Sequence, residues 1–142
     1  MPNHDIEGFR RGYEAINAAY RSGDVNELRP LLEESWDPDV VLQPAGVLPD
    51  SEQRPHRGYE GLLNFIANQM EAFSQMWMRP EEFIEVGDRL VVPYRMGGHA
   101  RHTGIEVEFA FAHVFTIRDE KVVRLDVFES KAAALEAVHA LS

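Results

Sequence analysis

One histidine and two carboxylates near the C-terminus carry the side chains best suited to proton chemistry in this chain. His113 lies in a run from Ile105 to Ile117 that alternates with a period of two. Ile105, Val107, Phe109, Phe111, Phe115 and Ile117 share its side, while Glu106, Glu108, Ala110, Ala112, Val114 and Thr116 take the other. Successive side chains of a strand point to opposite faces, so this is a long strand with an aromatic face and a histidine set into it. A buried imidazole without a hydrogen-bond partner costs about 1–3 kcal/mol. His113 is therefore either a core residue bonded to a helix backbone, Tyr13 or Tyr20, or the polar head of a pocket. In a pocket it would donate to a carbonyl or take a proton from an acidic carbon, because its ordinary pKa lies near neutrality.

The carboxylates lie on the next apolar run. Val123, Leu125, Val127 and Glu129 form one face, the better continuation of a cavity wall, which turns Glu129 inward near the rim. A buried Glu129 would have a raised pKa and could act as acid or base; a solvated one would cap the final helix. Asp126 falls on the opposite face with Arg124 as an outer-face pair, and a register slip of one residue would turn it inward. Tyr13, Tyr20, Trp36, Met70 and Trp77 read as core or as cavity wall. Phe65, Phe109, Phe111, Phe115 and Val127 are the remaining apolar wall candidates. His56 and Arg57 precede the longest helix, where they would either meet an anionic group or serve structure. His99 and His102 have a metal-like spacing but no nearby third ligand, so a hairpin tip or bulge is expected and no metal.

These residues need elements to position them. The spacing of Phe9, Tyr13, Ile16 and Tyr20 predicts a first helix, capped by Asp5 and ended at Gly23. Asp24 and Glu27 open a short second helix from Val25 to about Glu34, interrupted by Pro30. A turn and short strand span Trp36 to Gln43, and the prolines between Pro44 and Pro55 mark a loop or lid. The longest helix is expected from Tyr59 to Met78, with Pro80 closing it. Strands follow at Glu82–Val86, Leu90–Met96, Ile105–Ile117 and Lys121–Glu129, then a helix from Lys131 to Leu141 capped by Ser130. Helices first, an antiparallel meander next and a terminal helix last give an α+β fold whose curved sheet wraps the long helix.

The 142 residues make one domain with room for a core. A formal charge of −10 opposes binding to nucleic acid or an anionic membrane surface. The chain has no cysteine, which removes thiol nucleophiles, disulfides and cysteine-ligated metals. No apolar run approaches a membrane span, and the acidic N-terminus does not read as a secretory signal, so a soluble cytoplasmic protein is expected. Phosphate-loop, nucleophile-elbow and kinase motifs are absent from the sequence.

The element order and several local motifs resemble the nuclear transport factor 2-like superfamily, and within it the SnoaL-like branch. The likeness rests on Ser22-Gly23-Asp24, Asp37 to Val40, Arg57 to Leu62, Glu85 to Val92, His113 to Asp119, and Ala133 to Ala137. It covers almost the whole chain, residues 1–142 as a single such domain. The resemblance implies a conical α+β barrel with a pocket between sheet and helices, and a homodimer through the outer sheet face. It also implies that His113 falls where ketosteroid isomerase places its oxyanion-stabilising acid, and near the histidine of SnoaL-type cyclases. Departures are plain as well. Gln43 and Pro44 occupy the isomerase's general-base region, Ile16 stands at its tyrosine, and Val127 stands at the cyclases' aspartate with Asp126 next to it.

Three readings follow. The first is a cofactor-independent isomerase, cyclase or lyase acting on a hydrophobic carbonyl compound, with His113 as proton handler or carbonyl donor and Glu129 or Asp126 as partner acid. The second is a binder using the same cavity. The third is an interaction module with His113 held by its own protein and an apolar outer face.

Overall fold

The computed structural model describes residues 5–45 and 54–140; most of the expected Pro44–Pro55 lid lies outside them. Helix α1 spans Ile6–Ser22, opened by an Asp5 carboxylate that accepts from the Gly8 N–H at 2.9 Å. Gly23 ends it at φ 80°, a conformation where a side chain would be strained. The expected second helix divides in two, a 3₁₀ turn at Val25–Leu28 and helix α2 at Arg29–Ser35. Pro30 sits in the first turn of α2, where its missing N–H has no partner to lose.

Strand β1 is Trp36–Gln43, β2 is His56–Arg57, and helix α3 is Gly58–Ala72. The expected helix to Met78 stops early, because Phe73–Pro80 is strand β3. The apolar positions of this stretch fit both periods, and the tertiary alternative wins: β3 pairs antiparallel with β5, Met78 opposite Met96 and Pro80 opposite Tyr94. Asn17 then ties α1 to this edge strand. Its amide donates to the Met78 carbonyl at 2.8 Å and accepts from the Met78 N–H at 2.8 Å.

The remaining elements are β4 (Ile84–Val86), β5 (Arg89–Ala100), β6 (Glu106–Arg118), β7 (Lys121–Phe128) and α4 (Lys131–Ala140). Strand β5 runs further than expected, through Gly97 and Gly98, so the expected hairpin tip narrows to Arg101–Thr103. Gly97 lies opposite Trp77, and a Cβ there would come within 2.8 Å of the indole. Ser130 caps α4, its hydroxyl accepting from the Ala133 N–H at 3.0 Å.

Seven strands form one curved, unclosed sheet in the order β2-β1-β7-β6-β5-β3, with β4 on the same flank of β5. Among the described residues, only β1 and β7 pair in parallel. The expected barrel is thus an open one. Residues opposite each other across antiparallel strands share a face, which sorts the sheet. Leu90, Val92, Tyr94 and Met96 pair with Phe115, His113, Phe111 and Phe109 on the concave face. Val91, Ala112 and Val114 belong to the convex face, where Ala134 and Val138 of α4 pack on them. The main core lies between the concave face and the helices α1 to α3.

Candidate functional site

The concave face and the helices enclose a cavity of about 690 Å³. Helix α1 contributes Phe9, Tyr13, Ile16 and Tyr20, the stripe read from the sequence, and α3 contributes Leu62, Phe65, Ile66 and Gln69. The sheet supplies Trp36 from β1, Tyr94 and Met96 from β5, Phe111, His113 and Phe115 from β6, and Val127 from β7.

His113 sits near the middle of this wall, 8% exposed. Its Nδ1 lies 2.7 Å from the Tyr13 hydroxyl, a buried hydrogen bond between α1 and β6. The ring is stacked on Tyr94, centroids 3.9 Å apart, and meets Tyr13 at 5.8 Å and Phe115 at 5.4 Å. Burial in these rings pushes the imidazole pKa down from 6.5 to about 3, so His113 is neutral at physiological pH. Burial, with the neighbouring Tyr94 phenol adding to it, raises the Tyr13 pKa, and that hydroxyl keeps its proton. Burial also raises Tyr20 and Tyr94.

The Tyr13 hydroxyl can donate to Nδ1 or accept from it; when it donates, the histidine proton sits on Nε2. Nε2 makes no hydrogen bond among the described residues, and His113 lines the cavity. In that tautomer the dyad offers the cavity one neutral N–H donor.

Neither carboxylate singled out from the sequence is part of this wall. A bulge in the β6–β7 register between Thr116 and Ile117 passes over Val123, so Val122, Leu125 and Val127 line the cavity instead of Val123, Leu125, Val127 and Glu129. Glu129 follows the last strand residue and is exposed, lining an outer groove beside α4 with Asp126, Ala133 and Glu136. Asp126 is on the convex side, accepting from Arg124 Nε at 3.0 Å.

Four other candidates also lie elsewhere, Trp77 among them, on the convex side under Arg79. Phe109 is on the concave face but beyond the lining, 42% exposed and 5.8 Å from the Phe111 ring. The β6 wall closes at Phe111 because helices no longer cover the strand's first turns, where Ile105 is exposed too. Met70 packs against the main core and its carbonyl accepts from Arg101 Nε at 2.9 Å. His56 stands behind Phe65, ring centroids 4.9 Å apart, outside the lining.

Tyr94 was missed by sequence reasoning, although Leu90, Val92, Tyr94 and Met96 alternate toward the same face as His113. Also missed were the carboxylates Asp88, Asp119 and Glu120, which line the hairpin end of the cavity. Asp119 and Glu120 form the β6–β7 turn at φ 51° and 65°, a conformation whose side chains no strand periodicity orients. Along β6 they are about 20 Å from His113. Among the described residues, no lysine or arginine lines the cavity and no cluster of three or more metal-ligating side chains occurs. No helix is long and apolar enough to cross a membrane.

The convex face differs from the apolar patch expected of an interaction module. Arg95 Nε donates to Glu108 at 2.7 Å, His99 lies 3.7 Å from Glu106, and Arg79 covers the Trp77 ring at 5.0 Å.

The SnoaL-like domain model matches residues 9–125 of the chain. Comparison with curated protein sequences finds no significant match. Among solved structures, a nuclear transport factor 2-like protein of unknown function from Burkholderia pseudomallei K96243 superposes with a TM-score of 0.70 at 22% identity, over 96% of this chain and 98% of that one. TerC, crystallised with polyporic acid, gives a TM-score of 0.65 at 26% identity over 94% and 97%. A protein provisionally assigned as a SnoaL-like polyketide cyclase, from Jannaschia sp. CCS1, gives 0.70 at 20% identity over 95% and 91%. The chain belongs to the SnoaL-like domain family, and its fold is that of the nuclear transport factor 2-like superfamily.

Proposed function

We propose that this SnoaL-like protein binds a hydrophobic carbonyl compound in the cavity, with His113 as the hydrogen-bond donor to the carbonyl oxygen. The observation that carries this reading is the buried Tyr13–His113 hydrogen bond at 2.7 Å. With Tyr13 donating, the uncharged imidazole carries its proton on Nε2 and presents a neutral donor to a mainly apolar wall. Cavities that bind small molecules combine such walls with a few fixed polar groups, and about 690 Å³ suits a ligand of two or three rings. The co-crystallisation of the similar TerC with polyporic acid supports an organic ligand here as well.

The same geometry favours donation over proton abstraction. A neutral imidazole whose conjugate acid has a pKa of about 3 is a poor base at neutral pH. Asp126 and Glu129 face the solvent side, so neither serves it as a partner acid. Binding, with polarisation of the carbonyl, is the reading supported best. An isomerase, cyclase or lyase reaction would need its base from the ligand or from the hairpin carboxylates. A homodimer through the convex face belongs to the same proposal, and sedimentation velocity reads two chains if it holds and one if it does not.

The test is a pair of probes that differ by the carbonyl, biphenyl and 4-acetylbiphenyl. Wild type should bind the ketone about tenfold more tightly, the worth of one hydrogen bond in an apolar site. The double variant Tyr13→Phe/His113→Phe keeps ring packing without an orphaned hydroxyl and should bind both probes alike. Equal binding by wild type, or none, contradicts the reading.

A further inference from the structure

A second polar group on the cavity wall has no partner. The Tyr20 hydroxyl is buried and makes no hydrogen bond among the described residues, and the residue is only 9% exposed. Leaving a hydroxyl in that state is unfavourable, and native structures rarely do so without a reason such as a bound group that completes it. Tyr20 and Tyr13 are seven residues apart on α1, just under two turns, so they project from the same side of the helix about 10 Å apart. Tyr13 already spends its proton on His113. The wall thus holds His113 Nε2–H, bonded through Nδ1 to Tyr13, and the hydroxyl of Tyr20, with the Tyr94 hydroxyl as a further donor.

We propose that Tyr20 is a second ligand contact, so that the protein selects an elongated, neutral aromatic compound with one oxygen acceptor for His113 and a second for Tyr20. This rests on the carbonyl-binding reading of His113 and adds ligand length, a second acceptor and charge to it. Length follows from α1, on which Tyr20 stands about two turns beyond Tyr13, the residue bonded to His113. Aromatic character follows from the rings that line the same cavity, Tyr94, Phe111 and Phe65 among them. Neutrality follows from the lining: among the described residues no lysine or arginine lines the cavity, while Asp5, Asp88, Asp119 and Glu120 do, in a chain of net charge −10. A carboxylate or enolate ligand would be desolvated with no cation to meet it.

Three probes test the proposal: 4-acetylbiphenyl with one acceptor, 4,4′-diacetylbiphenyl with two, and biphenyl-4-carboxylate with a charge. Wild type should bind the diketone about tenfold more tightly than the monoketone, and the carboxylate at least tenfold more weakly than the monoketone. In Tyr20→Phe the diketone should lose its advantage while the monoketone keeps its affinity. The empty Tyr20→Phe protein should also melt about 3 °C higher than wild type, because an unpaired buried hydroxyl is gone. If both ketones bind and Tyr20→Phe leaves their ratio unchanged, the Tyr20 contact is wrong and the His113 reading stands. If the empty variant melts lower, the hydroxyl has a protein partner and the proposal fails at its first step. Preference for the carboxylate overturns the neutral-ligand claim, and failure of both ketones to bind overturns the His113 reading with it.

Discussion

The two faces of β6 and β7 solve the problem of polar side chains in opposite ways. On the concave face His113 is buried, neutral and held by one hydrogen bond from Tyr13. On the convex face Glu108 and Asp126 are charged and meet Arg95 and Arg124 in partly exposed pairs. Residues one step apart along the same strand thus live in different electrostatic worlds, sorted by the pleat. Inside, charge is removed by desolvation and a partner is a condition of folding. Outside, charge is kept because water and an arginine share it, and each pair contributes little. A polar side chain on the concave face is therefore expensive to change, and one on the convex face cheap.

The largest expected break in that contrast is His113→Ala. It removes a ring packed between Tyr94 and Phe115 and strands the Tyr13 hydroxyl in the core. The loss should be about 2–4 kcal/mol in urea unfolding, with the slope against urea unchanged. A loss under about 1 kcal/mol would place the ring in solvent.

Acid sharpens the comparison. His113 has a folded pKa of about 3 against an ordinary 6.5, so between these values the unfolded chain binds the extra proton. Stability from this group is therefore complete above pH 6.5 and falls as pH drops toward 3, by at most about 1.4 kcal/mol per pH unit. Titrating unfolding free energy from pH 7.5 to 4.5 in wild type and His113→Phe isolates it, since the carboxylates common to both cancel. The wild-type curve should fall more steeply below pH 6.5; parallel curves would mean a solvated imidazole.

The smallest effect belongs to the convex side. Asp126→Asn and Glu129→Gln should each change stability by less than about 1 kcal/mol and leave 4-acetylbiphenyl binding as it was. A tenfold loss of affinity in either would bring that carboxylate into the cavity.

Which face a residue occupies was legible in the sequence where the alternation was unbroken. The run around His113 gave its side correctly from Phe111 to Ile117, and the α1 stripe gave Phe9, Tyr13, Ile16 and Tyr20. Legibility ended where the chain departs from period. A bulge at Val123 is invisible in a string of apolar residues, and it shifted the cavity-facing residue there from Val123 to Val122, while Glu129 lies outside because β7 ends at Phe128. Phe73 to Met78 fits a helix and a strand equally, and only pairing with β5 decides it. The end of cover at Phe109 depends on where helices stop across the sheet, which the strand's own residues do not encode. The Tyr13–His113 bond spans 100 residues of sequence. Reading the residues named Tyr13 beside Tyr20 and a helix backbone as possible partners, but the choice among them is tertiary.

The central claim is the protonation state of His113, and nitrogen-15 NMR of the imidazole reads it directly. Two-bond correlations from the ring carbons' protons distinguish a bare nitrogen from a protonated one, across pH 5 to 8. The account predicts a bare Nδ1 and a protonated Nε2 throughout, with no titration in that range. A proton on Nδ1, or an imidazolium appearing near pH 6, would contradict it and take the neutral donor out of the cavity.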